Sequence, residues 1–146
     1  MKRFFDSSVL IPAFYKFDAN HDLSADALRS AGPTDSFCAL RTLGEVYAVL
    51  TGLPVRPRIT GADAMAILKQ IREKLTIISL SEEEYVSALQ SVSETIVGGA
   101  AYDALIARCA IKAHADVLLT WNTRDFTRFG PDISRLVKTP LQMIIA

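Results

Sequence analysis

Short apolar segments alternate along this chain with longer segments in which apolar residues recur every three or four positions. The short segments end at turn signals and are rich in β-branched or aromatic residues, which is typical of buried strands. The longer ones have the period of helices with one packed face, and residues 41–51 give the clearest example. The five predicted strands comprise residues 4–5, 36–39, 75–80, 115–121 and 136–138.

Capping residues predict several helix boundaries. The helix after the first strand is expected from Ser8 onward, with Pro12 tolerated in its first turn. Thr60 is predicted to cap a later helix. Ser81 and Glu84 match a capping box, so we interpret the acidic run at 82–84 as a helix start and not as a metal site.

Strands that alternate with helices favour right-handed crossovers and a mainly parallel sheet. We therefore predict an α/β fold with three α/β/α layers and a five-stranded twisted sheet, forming a single domain over residues 1–146. A domain of this length buries about two-thirds of its unfolded surface. No apolar run approaches the ~18 residues that would span a bilayer, so we expect no membrane segment.

Charge and cysteine content narrow the functional classes. Sixteen basic residues balance sixteen acidic ones, so binding to nucleic acid would have to come from a local arrangement of charge. Cys38 and Cys109 stand in apolar segments without a partner motif, and no signal-peptide pattern opens the chain. We therefore expect a cytoplasmic protein with reduced thiols.

Four acidic residues stand close to predicted strand ends or at the starts of helices. They are Asp6, Glu45, Asp103 and Asp125. Because parallel strands end at the same edge of a sheet, we expect the four side chains to converge there. For two of them the local sequence alone favours a structural role: Asp6 can cap the helix that follows it, and Glu45 can pair with Arg41 one helical turn earlier.

A group of carboxylates predicts a site for a hard cation. Unpaired carboxylates raise one another's pKa, so such a group usually needs a cation for neutralisation. Oxygen ligands without His or Cys favour Mg²⁺ or Mn²⁺ over zinc. An ion of this kind polarises a phosphoryl oxygen and activates a bound water, which is the chemistry of phosphodiester hydrolysis.

Four sequence segments contain these acids: Phe-Asp-Ser-Ser at 5–8, Leu-Gly-Glu-Val at 43–46, Tyr-Asp-Ala-Leu-Ile-Ala at 102–107 and Leu-Thr-Trp-Asn-Thr-Arg-Asp-Phe at 119–126. In these segments the chain resembles PIN-domain ribonucleases of the bacterial VapC toxin type, and the similarity extends over nearly its whole length. The last two segments are the most distinctive. The fold that this resemblance implies is the α/β fold predicted above.

The resemblance also implies roles for individual residues. The implied metal ligands and catalytic acids for Mg²⁺ or Mn²⁺ are Asp6, Glu45, Asp103 and Asp125, and the implied supporting groups are Ser8, Thr120 and Asn122. Thr120 is expected to donate a hydrogen bond to the acids. Asn122 departs from the pattern, since some members of the family have an acid at this position.

The implied activity is that of a Mg²⁺-dependent endoribonuclease that cuts tRNA or ribosomal RNA as the toxin of a toxin–antitoxin pair. The implied partners are the RNA substrate, a VapB-type antitoxin that occupies the site, and a second copy in a homodimer. Arginines that would contact RNA phosphates are present around the acids, although for each one taken singly the interpretation as ordinary surface charge is favoured. They are Arg41, Arg56, Arg58, Arg124 and Arg128.

Three other side chains have two interpretations each. Trp121 either stacks on an RNA base or packs beside its strand end. His21 and His114 lie outside the four segments, and surface or helix-end roles are favoured for both over catalysis.

Two competing functional classes share the predicted fold. The first is a catalytically silent module that binds RNA or a protein partner, although such a module would be expected to have lost one or more of the acids. The second is a response-regulator-like phosphoacceptor domain, which is disfavoured because paired acids after the first strand and a lysine after the last strand are missing.

Overall fold

The computed structural model describes residues 1–145 and contains one sheet of five parallel strands. In space the strands follow the order β3-β2-β1-β4-β5. Their bounds are Arg3–Phe5 for β1, Ser36–Ala39 for β2, Thr76–Ile78 for β3, Val117–Leu119 for β4 and Val137–Lys138 for β5. The predicted α/β fold with a five-stranded parallel sheet is therefore confirmed.

Helices connect the strands and cover the sheet. They are α1 (Ser7–Ala13), α2 (His21–Arg29), α3 (Leu40–Gly52), α4 (Gly61–Lys74), α5 (Glu82–Val92), α6 (Ala100–Lys112), α7 (Thr123–Thr127), α8 (Pro131–Ser134) and α9 (Pro140–Ile145). Thr60 and Ser81 cap α4 and α5, each in a capping box, as the sequence predicts. No helix among residues 1–145 is long and apolar enough to cross a membrane.

The central strand β1 is buried on both faces. Successive side chains of a strand point to opposite sides of the sheet. Phe5 packs into an apolar cluster with residues of α1, α2, α3 and α4, whereas Phe4 packs into a second cluster with α6, α7 and α8. Helices therefore lie on both faces of the sheet, which confirms the three-layer prediction.

The prediction for the first helix is wrong in two details. The helix begins at Ser7, because Asp6 accepts a capping hydrogen bond from the Ser8 amide, and it ends at Ala13. Pro12 consequently lies in the second turn and not in the first. A proline there lacks the N–H that would bond to the Ser8 carbonyl, and the helix stops one residue later.

Strand ends and three short helices also differ from the sequence-based prediction. Strands β3, β4 and β5 are shorter than residues 75–80, 115–121 and 136–138. Leu75 still closes α4 with a hydrogen bond to Ile71, and Thr120 lies just beyond β4, although its amide donates to the Lys138 carbonyl at 3.1 Å. The short helices α7, α8 and α9 were not predicted, because none is long enough to show a helical period.

The topology brings the end of β1 to a switch point in the sheet. The chain passes from β1 to its neighbour β2 on one side and later to its neighbour β4 on the other. In open parallel sheets, ligands bind beyond the carboxyl ends of the strands at such a point. Asp6 follows β1 and Thr120 follows β4 there, since Phe5 and Leu119 are paired in register.

Candidate active site

Asp6 has the predicted capping role and also lies at the end of β1, where the site was expected. It follows β1, is only 6% exposed, and caps α1 by accepting a hydrogen bond from the Ser8 amide at 3.4 Å. The Ser8 and Thr120 hydroxyls donate to the same carboxylate oxygen, Oδ2, at 2.8 and 2.9 Å. Because all three bonds reach Oδ2, Oδ1 is left available as a ligand.

The two hydroxyls around Asp6 also join the ends of β1 and β4. Ser8 Oγ and Thr120 Oγ1 lie 3.1 Å apart. Ser8 Oγ accepts a hydrogen bond from the Trp121 amide at 2.9 Å, and Thr120 Oγ1 accepts one from the Asn122 amide at 3.0 Å. Thr120 is fully buried, so the network fixes the position of the Asp6 carboxylate from the interior side.

Burial dominates the electrostatics of Asp6. Removal from water raises the pKa of this carboxyl, and the hydrogen bonds from Ser8, Thr120 and the Ser7 backbone only partly offset that rise. The charged form of Asp6 is therefore unfavourable unless a further positive charge approaches it.

Glu45 forms the ion pair with Arg41 and also lies near the end of β1. It lies on α3, where Arg41 Nε is 3.4 Å from its Oε1. The other oxygen, Oε2, accepts a hydrogen bond from Ser7 Oγ at 2.9 Å. Since Ser7 follows Asp6 directly, this bond brings the Glu45 side chain to the end of β1.

Asp103 lies in the first turn of α6 and faces the other acids. Arg128 Nη2 is 3.2 Å from its Oδ2. The pKa of Asp103 is raised to about 6, first by burial and then by the charges of Asp125, Asp6 and Glu45, while Arg128 opposes this rise. The carboxylates predicted from four separate segments thus lie close enough to act on one another.

Asp125 is the third residue of α7. Its side chain makes no hydrogen bond or ion pair within residues 1–145, but its charge is the strongest of those that raise the pKa of Asp103. Asn122 stands just before α7 without capping it, and its exposed side chain contributes nothing to the network. The Asn122 backbone amide, which donates to Thr120, is the part of this residue that supports the site.

These side chains fit a hard cation in type but do not form a closed cage. Within residues 1–145, no three His, Cys, Asp or Glu side chains come together as a group that could hold one metal ion. Mg²⁺ takes only one or two protein carboxylates directly and keeps several waters, so an open arrangement of acids suits it better than a cage. The all-oxygen donor set and the mutual repulsion at Asp103 both favour such an ion.

The predicted arginines differ in their distance from the acids. Arg41 and Arg128 each pair with one of them. Arg124 is exposed on α7, and Arg56 and Arg58 lie in the loop after α3; none of these three forms an ion pair among residues 1–145.

The remaining predicted side chains take structural positions. Trp121 packs against the cluster around Phe5, and its Nε1 donates to Ser24 Oγ at 2.9 Å. His21 begins α2, with its Nδ1 2.8 Å from the Pro12 carbonyl oxygen, and His114 follows α6 with a positive φ of 54°. Both histidines therefore have the expected helix-end positions.

Sequence reasoning missed two contacts of the site. Ser7 was not assigned a role, although a hydroxyl beside Asp6 at a helix start was a usable signal. Tyr102 was not assigned a role either, although it is 45% exposed and the centre of its ring lies 3.6 Å from the Arg41 guanidinium carbon. An aromatic residue in the first turn beside Asp103 was the signal for that contact.

Comparison with known proteins agrees with this geometry. The sequence matches the PIN domain family over residues 3–130, which contain all four acids. The chain belongs to the PIN domain family. This PIN domain is also 31% identical over 112 residues to ribonuclease VapC27 of Mycobacterium tuberculosis, an alignment that covers 77% of this chain and 79% of the relative.

Solved structures share the fold of this PIN domain. VapC20 of Mycobacterium tuberculosis, a toxin that cleaves the sarcin-ricin loop, aligns with a TM-score of 0.68 at 16% identity over 90% of this chain and 98% of its own. VapBC-1 of nontypeable Haemophilus influenzae aligns with a TM-score of 0.66 at 16% identity, covering 97% and 99% of the two chains. The PIN fold, with its α/β layers, is therefore shown independently of the sequence motifs.

Proposed function

We propose that this PIN domain is a divalent-metal-dependent endoribonuclease of the VapC type and the toxin of a toxin–antitoxin pair. One observation carries the proposal: burial and the charges of Asp125, Asp6 and Glu45 together raise the pKa of Asp103 to about 6, so four acids meet at one place. A fold has no structural need for four acids in mutual repulsion. The identity to ribonuclease VapC27 supports RNA as the substrate class.

The proposed metal ligands are Asp6 through Oδ1, with Asp103, Asp125 and Glu45 bound directly or through waters. When bound, Mg²⁺ or Mn²⁺ would polarise a phosphoryl oxygen and make a water nucleophilic near neutral pH. Ser8 and Thr120 hold the Asp6 carboxylate in one orientation. Their hydroxyls are donors in this role and so direct the free oxygen toward the remaining acids.

Ser7 and Arg41 position the Glu45 side chain in a similar way. Ser7 Oγ and Arg41 Nε contact different oxygens of this carboxylate, so neither side of it is free to rotate without losing a partner. Arg41 is in turn stacked on Tyr102 at the start of α6. The stack joins the helix that carries Glu45 to the helix that carries Asp103.

The finer assignments of substrate and partner rest on relatives. Cleavage of ribosomal RNA or tRNA is proposed because VapC20, which shares the fold, is a toxin that cleaves the sarcin-ricin loop. A VapB-type antitoxin is proposed because VapBC-1 of Haemophilus influenzae shares the fold as well. A homodimer is proposed from the family resemblance.

The test is cleavage of total cellular RNA by the purified protein with Mg²⁺, with Mn²⁺ and with EDTA. Asp103→Asn is the test variant. Asp22→Asn is the matched control, because Asp22 also lies in the first turn of a helix but does not contribute to the raised pKa of Asp103. We expect discrete fragments from the wild type and the control with metal only, and none from Asp103→Asn.

Sequencing of the fragment ends then identifies the RNA and the cut site. If the wild type cleaves nothing with either metal but still binds RNA or an antitoxin, the protein is the catalytically silent module. Metal-dependent cleavage that survives in Asp103→Asn would contradict the assignment of the site.

A further inference from the structure

Arg128 connects the two elements that carry Asp103 and Asp125. It follows α7 directly, and its Nε donates to the Asp125 backbone carbonyl at 3.0 Å. Its Nη2 donates to Asp103 Oδ2 on α6 at 3.2 Å, and its guanidinium carbon lies 5.3 Å from the centre of the Phe129 ring. One guanidinium thus spans the gap between the helices on which these two acids stand.

The other arginines near the site are held differently. Arg41 pairs with Glu45 within its own helix and is covered by the Tyr102 ring. Arg124 has no ion pair among residues 1–145. Among these three arginines, only Arg128 neutralises an acid that belongs to a different helix.

The bond between Arg128 and Asp103 is a weak one. Both side chains are partly exposed, at 38% and 33%, and an ion pair in contact with water contributes at most about 1 kcal/mol. A guanidinium carries five N–H donors, and the contacts with Asp103 and Asp125 use two of its three nitrogens. The pair can therefore open easily, and Arg128 retains donors for a second anion.

We propose that Arg128 is a phosphate-binding residue of this site and that, in the absence of a metal ion, its ion pair with Asp103 keeps it from binding phosphate. When another cation neutralises Asp103, Arg128 is released to bind an RNA phosphate next to the acids. This inference rests on the proposed function, because it takes RNA to be the substrate. A planar guanidinium suits the task, since it can bind two phosphate oxygens at once.

A linkage between metal and RNA follows from this arrangement. A cation that binds Asp103 makes Arg128 available, so it strengthens RNA binding, and RNA must strengthen binding of the cation by the same factor. The acids would then repel RNA least at the moment when the site is ready for reaction.

The linkage can be tested without metal and without cleavage. Asp103→Asn removes the partner that holds Arg128, so it imitates the neutralised site. We would measure binding of a fluorescein-labelled single-stranded RNA of mixed sequence by anisotropy, in EDTA. The four proteins are the wild type, Arg128→Gln, Asp103→Asn and the double variant.

We expect Arg128→Gln to weaken RNA binding by less than about twofold in the wild-type background, where Arg128 is bound to Asp103. In the Asp103→Asn background the same substitution should weaken binding by about tenfold, the effect of one charge-assisted contact. The slope of log affinity against log salt should fall by about one in that background only. Arg128→Lys should restore part of the affinity, because it keeps the charge but not the planar fork.

Arg124→Gln is the matched control, since Arg124 lies on α7, the short helix that Arg128 directly follows. Since Arg124 has no ion pair with Asp103, its substitution should have the same effect on affinity in both backgrounds. An equal effect of Arg128→Gln in both backgrounds would overturn the inference while leaving the proposed ribonuclease intact. If no variant binds the RNA at all, both the RNA substrate and this role of Arg128 are wrong.

Discussion

Asp6 and Asp103 belong to the same group of acids but are held in opposite ways. Asp6 is buried, and three hydrogen bonds from uncharged groups fix one of its oxygens. Asp103 is partly exposed and has one ion pair, with Arg128. The first arrangement makes a rigid ligand whose charge no cationic side chain within residues 1–145 offsets, whereas the second makes an adjustable ligand whose charge Arg128 offsets only in part.

The difference follows from where each residue stands in the fold. Asp6 and Thr120 follow paired residues of two adjacent strands, so the register of the sheet sets their distance. Asp103 and Arg128 stand at a helix start and just after a short helix, and only side-chain contacts set theirs. A site built from both kinds has one fixed point around which the other acids can adjust.

Asp6→Asn should have the largest effect on this arrangement. The asparagine carbonyl can replace Oδ2 as the acceptor for Ser8 and Thr120, but the amide then occupies the position of Oδ1 and repels a cation. We expect RNA cleavage to fall by about 10³-fold, the effect of losing one preorganised electrostatic group.

Stability measured by urea unfolding in EDTA should stay the same or rise in Asp6→Asn, because burial disfavours the charged carboxylate of the wild type. A clear loss of stability would contradict the inference that burial disfavours the charged form of Asp6.

Thr120→Val should reduce cleavage by about 10- to 100-fold, which is typical when the partner that orients a metal ligand is removed. It also leaves the Asn122 amide and Asp6 Oδ2 short of a hydrogen bond, so the free energy of unfolding should fall by about 1–3 kcal/mol. Thr120→Ser keeps the hydroxyl and serves as the control. Equal losses in both variants would place the effect in packing and not in the hydroxyl.

Protonation of Asp103 should make the metal-free protein more stable in mild acid. Its pKa is about 6 in the folded state and 3.8 as the ordinary value, so the folded state binds the proton more tightly. The contribution of this group to stability is therefore fully present below about pH 3.8, is lost as the pH rises through about 6, and does not change at higher pH.

Urea unfolding in EDTA at pH 5 and pH 7.5 measures this effect. We expect the wild type to be more stable at the lower pH and the difference to shrink in Asp103→Asn. Asp22→Asn should keep the full difference. A wild-type protein that becomes less stable at pH 5 would contradict the repulsion inferred among the four acids.

Thr42→Val should have the smallest effect and the opposite sign to Thr120→Val. Thr42 is fully buried in the first turn of α3, and its Oγ1 is the one buried side-chain polar atom without a hydrogen-bond partner among residues 1–145. Replacing the hydroxyl by a methyl should raise the free energy of unfolding by about 1 kcal/mol. Thermal or urea unfolding checks this, and a loss of stability would reveal a bound water at Thr42.

Much of the fold could be predicted because the apolar segments of the strands and the capping residues of the helices are clear in the sequence. The apolar segments around Phe5 and Leu118 gave two of the strands, and the capping boxes at Thr60 and Ser81 gave two helix starts. The turn of α1 that contains Pro12 was mispredicted. The start of this helix depends on the Asp6 side chain, and the spacing of apolar residues does not indicate it.

The four acids could be chosen from sequence, but only some of their partners could. The i, i+4 spacing of Arg41 and Glu45 within one helix is visible in the sequence, and the family resemblance implied Ser8 and Thr120, which donate to Asp6. The contacts between Asp103 and Arg128, and between Glu45 and Ser7, join separate elements. Such pairs depend on how helices pack, and that information is not present in the local pattern of residues.

The central position of β1 has a consequence for how the chain matures during synthesis. Strand β1 is synthesised first but pairs with β4. The hydrogen bond between Asp6 and Thr120 can therefore form only after a further 114 residues have been synthesised. Contacts of such long sequence separation form late, because a large loop must close first. The nascent chain therefore carries Asp6, Ser7 and Ser8 without an assembled site until Thr120 has emerged, and the order of strands in the sheet sets the time at which activity can begin.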